Sequence, residues 1–253
     1  MKSVKLSNRE KLTGKTMLCL LGATLVLPSY ADENASNPLA KVKNTDLRLQ
    51  HFELEGDNYL NDYFIDGAFM ASDELKIKYE LHYNETDITG SKTQHLESSV
   101  VKAIYFAKEG KTDSYGYRLA VGLDWINDLG DTDKGIGSDA DLLAPFVGLA
   151  MGFEGGTTII PLVQHFTEYS GTETNRTAFR LIGMQPLPNK SWLKLDTKVP
   201  VDWENDNAIP ATFELQYGKF VTGKFALYGD VLAGIGSDRP YDWGLGIGAR
   251  FSY

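Results

Sequence analysis

Cys19 is the single cysteine of the chain. It lies in an apolar run, residues 17–27, which follows Lys2, Lys5, Arg9, Lys11 and Lys15 and precedes the small-x-small site Ser29-Tyr30-Ala31. A basic stretch, an apolar stretch and a small-residue site in that order read as a secretory signal peptide, with cleavage expected after Ala31. The eleven apolar residues fall well short of the roughly 20 that a membrane-spanning helix needs. Without residues 1–31 the chain is exported and holds no thiol, disulfide or cysteine metal site.

Long apolar runs are missing from the remainder too, and basic charge is scarce. Taking the leader's five basic residues and one acid from totals of 25 and 34 leaves 20 against 33, a net charge of −13. That balance argues against a nucleic-acid partner. Neither a Gly-rich phosphate cradle nor a nucleotide fingerprint occurs, and no cofactor is implied. What the chain does have is glycine, 25 residues, and 11% aromatics, the composition of a β-rich protein.

Alternation supplies the fold. In residues 243–253, Trp243, Leu245, Ile247, Ala249, Phe251 and Tyr253 share one parity, while Gly244, Gly246, Gly248, Arg250 and Ser252 share the other. A strict period of two is a strand with one apolar and one small or polar face. Leu75, Ile77, Tyr79, Leu81 and Tyr83 alternate with Lys76, Lys78, Glu80 and His82 in the same way. Twelve such segments are expected after a flexible periplasmic lead-in, residues 32–45. A bulge near His51 would reconcile Leu47 and Leu49 with Phe52 and Leu54, and Pro161 marks a weak ladder position. Trp192 has the polar parity and is expected to precede its ladder. Odd-to-even connections include the longest (84–97 and 127–141), and the shortest (72–74 and 154–156) fall on the other side, the rhythm of long outer loops and short periplasmic turns. Tyr115, Trp125, Phe153, Trp203, Tyr217, Trp243 and Tyr253 sit near strand ends, as interfacial girdles require. The expected fold is an all-β, up-and-down antiparallel transmembrane barrel of about twelve strands over residues 46–253. A soluble all-β sandwich or calyx is the alternative, and it accounts poorly for so many strands with one wholly apolar face.

The parity rule gathers a charged set indoors: Lys76, Lys78, Glu80, His82, Lys102, Arg118, Asp124, Arg176, Arg180, Lys194, Asp196, Lys198, Asp202, Glu214, Asp230 and Arg250. A twelve-stranded barrel is narrower than the 16–18-stranded porins with open channels. Such charges either cross-pair into a plug or line a passage and set its selectivity. Arg176/Arg180 and Lys194/Lys198, expected on adjacent strands, would attract an anionic group unless acids across the barrel neutralise them.

Signs of catalysis are sparse. A lipid hydrolase needs a serine beside a histidine, and the nearest thing to it is His165 with Ser170. The loop around Asp131, Asp133 and Asp139 resembles a calcium loop only weakly, because Leu142 stands where a bidentate Glu belongs.

The closing strand, ending on Tyr253, resembles the C-terminal signature of bacterial outer-membrane barrels, and this implies the barrel-assembly machinery and outer-membrane lipid as partners. Pro145-Phe146-Val147-Gly148-Leu149, Asp202-Trp203 and Phe213-Glu214-Leu215-Gln216-Tyr217-Gly218-Lys219 make the C-terminal half similar to the transporter-like outer-membrane proteins grouped under the meta-pathway of phenol degradation. That resemblance implies a passive channel for hydrophobic solutes and not an enzyme. The reading is therefore an outer-membrane channel for small solutes, hydrophobic or anionic. The alternatives are a sealed barrel whose acidic outer loops meet partners, and an outer-membrane lipid hydrolase.

Overall fold

The computed structural model describes residues 34–253; the expected signal peptide, with Cys19, lies outside the described residues. Twelve strands, from β1 (Asn44–Glu53) to β12 (Trp243–Ser252), run up and down and close into a barrel when β1 pairs with β12. Between them stand β2 (Tyr59–Met70), β3 (Leu75–Thr86), β4 (Thr93–Lys111), β5 (Tyr115–Asp128), β6 (Ala140–Phe153) and β7 (Thr158–Gly171). Then follow β8 (Asn175–Leu187), β9 (Ser191–Asp202), β10 (Ala211–Phe220) and β11 (Phe225–Ile235). Closure leaves no unpaired edge, which is what lets strands cross hydrocarbon.

Alternation then decides the two faces. Leu81, Val121, Leu123, Leu181, Leu195, Leu215, Leu227, Leu245 and Ile247 are exposed on the outside, a surface that only lipid tails solvate without cost. Trp125, Trp203 and Trp243 ring the loop-bearing end of this belt and Tyr217, Phe251 and Tyr253 the turn-bearing end, all exposed. At the outer girdle the Trp125 indole donates to Tyr169 Oη at 2.7 Å, and that hydroxyl donates to Asn127 at 2.7 Å.

Inside, three layers follow one another. At the turn-bearing end an apolar cluster holds Ile104, Phe106, Ile160, Ile182, Met184, Trp192 and Tyr228. The middle is charged. Near the loops a second cluster gathers Ala140, Leu142, Ala144, Phe166 and Ala178.

Several expectations change. β1 pairs without interruption on both sides, so there is no bulge at His51. Phe52 simply faces the lumen, where it is buried against Tyr241, ring centroids 4.7 Å apart. Register shifts lie instead at His82/Tyr83, Phe106/Lys108 and Asp141/Leu142. The loop expected over 84–97 shrinks to residues 87–92, because β3 and β4 go on pairing with polar residues beyond the apolar belt. Pro161 is a weak position in one ladder: β6 pairs with β7 at Gly148↔Leu162 and next at Met151↔Ile159, skipping it.

Trp192 lies within its ladder, not before it, opposite Pro186 and Gly218, and is 2% exposed. Its indole lies over Gly218, where an added Cβ would stand 2.0 Å from the ring. Its Nε1–H donates to Gln216 at 3.0 Å. Gly218→Ala is accordingly expected to cost about 1–3 kcal/mol of stability by overpacking, read as a lower urea-unfolding midpoint. The cost should shrink in a Trp192→Leu background, because the two sites are in contact. Equal costs in both backgrounds would refute this account.

Candidate functional site in the barrel lumen

The expected lead-in is not wholly outside. From Asn34 to Ala40 the chain enters the turn-bearing end of the barrel, and Asn34, Asn37, Leu39 and Ala40 are fully buried there. Lumen cations hold it by its carbonyls and polar side chains. Lys76 Nζ donates to Pro38 O at 3.2 Å and Ala40 O at 2.7 Å, and Arg118 Nη1 donates to Leu39 O at 2.9 Å. Arg250 Nη1 donates to Asn34 Oδ1 at 2.7 Å and Ser36 Oγ at 3.0 Å, and Ser36 Oγ donates to Gln216 at 2.5 Å. Leu39 fills the apolar layer. Composition hid this segment, because a polar, Pro-containing stretch reads as linker until carbonyl acceptors are matched to lumen cations.

Above the segment is a cavity of about 430 Å³, floored by Ala35, Ser36 and Pro38. Of the residues the sequence placed indoors, Lys78, Glu80, His82, Lys102, Asp124, Arg180, Lys194, Lys198 and Arg250 line it. Asp196, Glu214 and Asp230 stand behind as ion-pair partners, and Lys76 and Arg118 hold the segment. Arg176 and Asp202, opposite each other in the β8–β9 ladder, are not among its lining residues. Sequence reasoning missed Arg48, Gln50 and Asp66, which also line the cavity. Their strands alternate poorly, so the parity rule was not carried across them.

Three groups of ion pairs cross the lumen wall. On β2–β5, His82 Nδ1 lies 2.9 Å from Asp62, and Lys102 is 3.1 Å from Glu80 and 3.3 Å from Asp124. On β9–β10, Lys194 is 2.7 Å from Glu214 and 3.4 Å from Asp196, which also receives Arg180 through two hydrogen bonds of 2.8 and 2.5 Å. Around the closing seam, Arg48 reaches Asp230 at 3.0 Å and Arg250 reaches Asp46 at 2.7 Å. The four-cation patch is thus half neutralised, by acids on the same and the next strand and not from across the barrel. Lys198 and Arg176 have no carboxylate at ion-pairing distance among the described residues and lie over the Phe166 ring, at 5.3 and 4.9 Å.

The outer loops organise themselves without converging on a metal. Asp131 pairs with Lys134 at 3.0 Å, and this hydrogen bond holds its carboxyl below the usual range. Asp139 accepts from Thr172 at 3.4 Å, and Asp133 lies in a short 3-10 turn, Thr132–Lys134. No group of three or more His, Cys, Asp or Glu side chains suited to a metal occurs among the described residues. His165 bonds to Thr177 at 3.0 Å on the outer wall, and no serine–histidine hydrogen bond is present among the described residues. Burial pushes the Tyr241 hydroxyl, in the loop above Phe52, up to about 12.

No family model matches the chain, and no curated protein matches it. Solved structures do. The COG4313 outer membrane channel from Pseudomonas putida F1 is 12% identical with a TM-score of 0.62, covering 84% of this chain and 96% of that one. The NanC porin is 10% identical at 0.60, covering 83% and 100%. The KdgM porin is 8% identical at 0.54, covering 83% and 99%. At these identities the likeness is one of fold: the chain is a closed twelve-stranded barrel of the outer-membrane kind.

Proposed function

We propose that this protein is an outer-membrane channel for the passive passage of small solutes, with a preference for anions. One observation carries the preference: on the β8–β9 wall the cations outnumber their ion-pair partners, Lys198 and Arg176 having no carboxylate at ion-pairing distance among the described residues. In a narrow lumen with low-dielectric walls such an excess concentrates counter-ions and sets selectivity. The fold neighbours, two porins and a channel, support the channel half of this reading. Lipid surrounds the apolar belt, and the strand ending at Tyr253 serves recognition by the barrel-assembly machinery.

Planar-bilayer recording tests it. The refolded barrel should give discrete conductance steps, with a reversal potential in a KCl gradient on the anion side. Arg176→Ala combined with Lys198→Glu should move that potential toward cations. A folded barrel that stays silent both with and without residues 34–40 would overturn the reading in favour of a sealed scaffold.

A second reading has its own support. An outer groove of about 540 Å³, lined by Val147, Leu149, Pro161, Val163, Phe179 and Leu181, lies against the interrupted β6–β7 ladder. A hydrophobic solute leaving sideways into the bilayer would use that seam. A disulfide across it would then stop hydrophobic uptake and spare ion conductance.

A further inference from the structure

The central cavity has two chemically different walls. On β4, β6 and β7 it presents an apolar patch, Ile104, Phe146 and Leu162, beside Lys102 and Gln164 of the same strands, and Pro38 of the inserted segment lies beneath. On β8 and β9 it is cationic, with Arg180, Lys194 and Lys198. Arg180 and Lys194 are tied to Asp196 and Glu214, but Lys198 is not tied to any acid among the described residues. Lys198 also stands directly opposite Arg180 in the β8–β9 ladder. Like charges placed so destabilise a sheet. Further out on β8, Arg176 adds a third cation, its Nε buried and without a hydrogen-bond partner. Asp196 is shared by Arg180 and Lys194, Glu214 is taken by Lys194, and Asp202 stands opposite Arg176 in the ladder, which leaves Lys198 as the cavity-lining cation of this wall without an acid at ion-pairing distance among the described residues.

We infer that the cavity is a binding site for a small organic monoanion with an apolar body. Its carboxylate sits on Lys198 beside Arg180, and its hydrocarbon part lies against Phe146 and Leu162. This rests on the channel proposed above and deepens it by naming the class of solute. An inorganic anion would satisfy Lys198 and leave the apolar wall wet. A neutral hydrocarbon would cover that wall and leave the ammonium uncompensated. Only a solute with both parts matches both walls, and a cavity of about 430 Å³ accepts a body of one aromatic ring or a short alkyl chain.

Saturation-transfer NMR of the barrel in lipid nanodiscs, with empty nanodiscs as the blank, tests the assignment using benzoate, benzyl alcohol and acetate. Benzoate should bind saturably, and the other two about tenfold or more weaker, the loss expected when a charge-assisted bond or the apolar contact is removed. Lys198→Met keeps the stem and removes the charge, and should weaken benzoate about tenfold in a barrel that still shows heat-modifiable migration. Lys198→Gln replaces it if that variant fails to fold. Leu162→Gln should weaken benzoate and leave acetate unchanged. Benzoate and benzyl alcohol binding alike, or benzoate indifferent to Lys198, would overturn the inference. Conductance measured in parallel separates the two readings. A conducting barrel that ignores benzoate keeps the channel and loses this site, whereas a silent barrel that binds benzoate keeps the site and loses the channel.

Discussion

Deleting residues 34–40 should raise the single-channel conductance several-fold and strengthen anion selectivity. The segment occupies the turn-bearing end of the lumen, and Leu39 within it is wholly buried among Ile104, Phe106 and Ile160. Its removal frees Lys76, Arg118 and part of Arg250 from the carbonyl and side-chain acceptors they now use. Those cations would then meet water and permeating ions. The barrel itself should survive, because every strand ladder begins at or after Asn44. An unchanged conductance in a folded deletion barrel would refute the account.

Asp46→Ala should be the most destabilising single replacement in the lumen. Asp46 is 1% exposed and Arg250 4%. Its carboxylate accepts from Arg250 Nε at 3.0 and 2.9 Å, from Tyr228 Oη at 2.8 Å and from Asn44 Nδ2 at 2.7 Å. Truncation strands the guanidinium inside the wall, a change worth about 3–5 kcal/mol when one partner of a buried pair is lost. The Tyr228 hydroxyl, whose ring fits over the bare Cα of Gly248, loses its acceptor too. Urea titration followed by tryptophan fluorescence reads the loss as a lower midpoint. Replacing both partners, Asp46→Ala with Arg250→Leu, should recover much of it, since no lone charge then remains. A midpoint equal to the wild type's would mean that Arg250 finds enough compensation in Asn34 and Ser36.

Strand count and the division of faces were legible in the sequence because lipid enforces the alternation. Within the belt every outward position of β3, β5 or β12 must be apolar, so Leu75 to Tyr83, Tyr115 to Trp125 and Trp243 to Tyr253 announce themselves. Where that pressure stops, so did the signal. Beyond the belt β3 and β4 continue with Asn84, Glu85, Gln94 and His95, whose backbones pair although their side chains show no period. Trp192 misled because a large indole on the polar parity looks misplaced until Gly218 is known to lie beneath it. The lumen charges were collected by parity alone, but which of them stay free depends on proximity. Asp196, two residues from both Lys194 and Lys198, bonds the first and not the second. The inserted segment has no periodic signature, and only the closed barrel reveals what its carbonyls are for.

The pair of Arg250 with Asp46 and its bond to Asn34 join positions 204 and 216 residues apart. Contacts of such long range form late, because so much chain must be ordered before they repay it. An emerging chain that lacks its last strand has neither the partner for β1 nor the guanidinium that anchors the inserted segment. Each incomplete length is therefore left open-edged and weakly structured. The barrel thus closes as a single act, its two ends locking together through Arg250, Asp46 and Asn34.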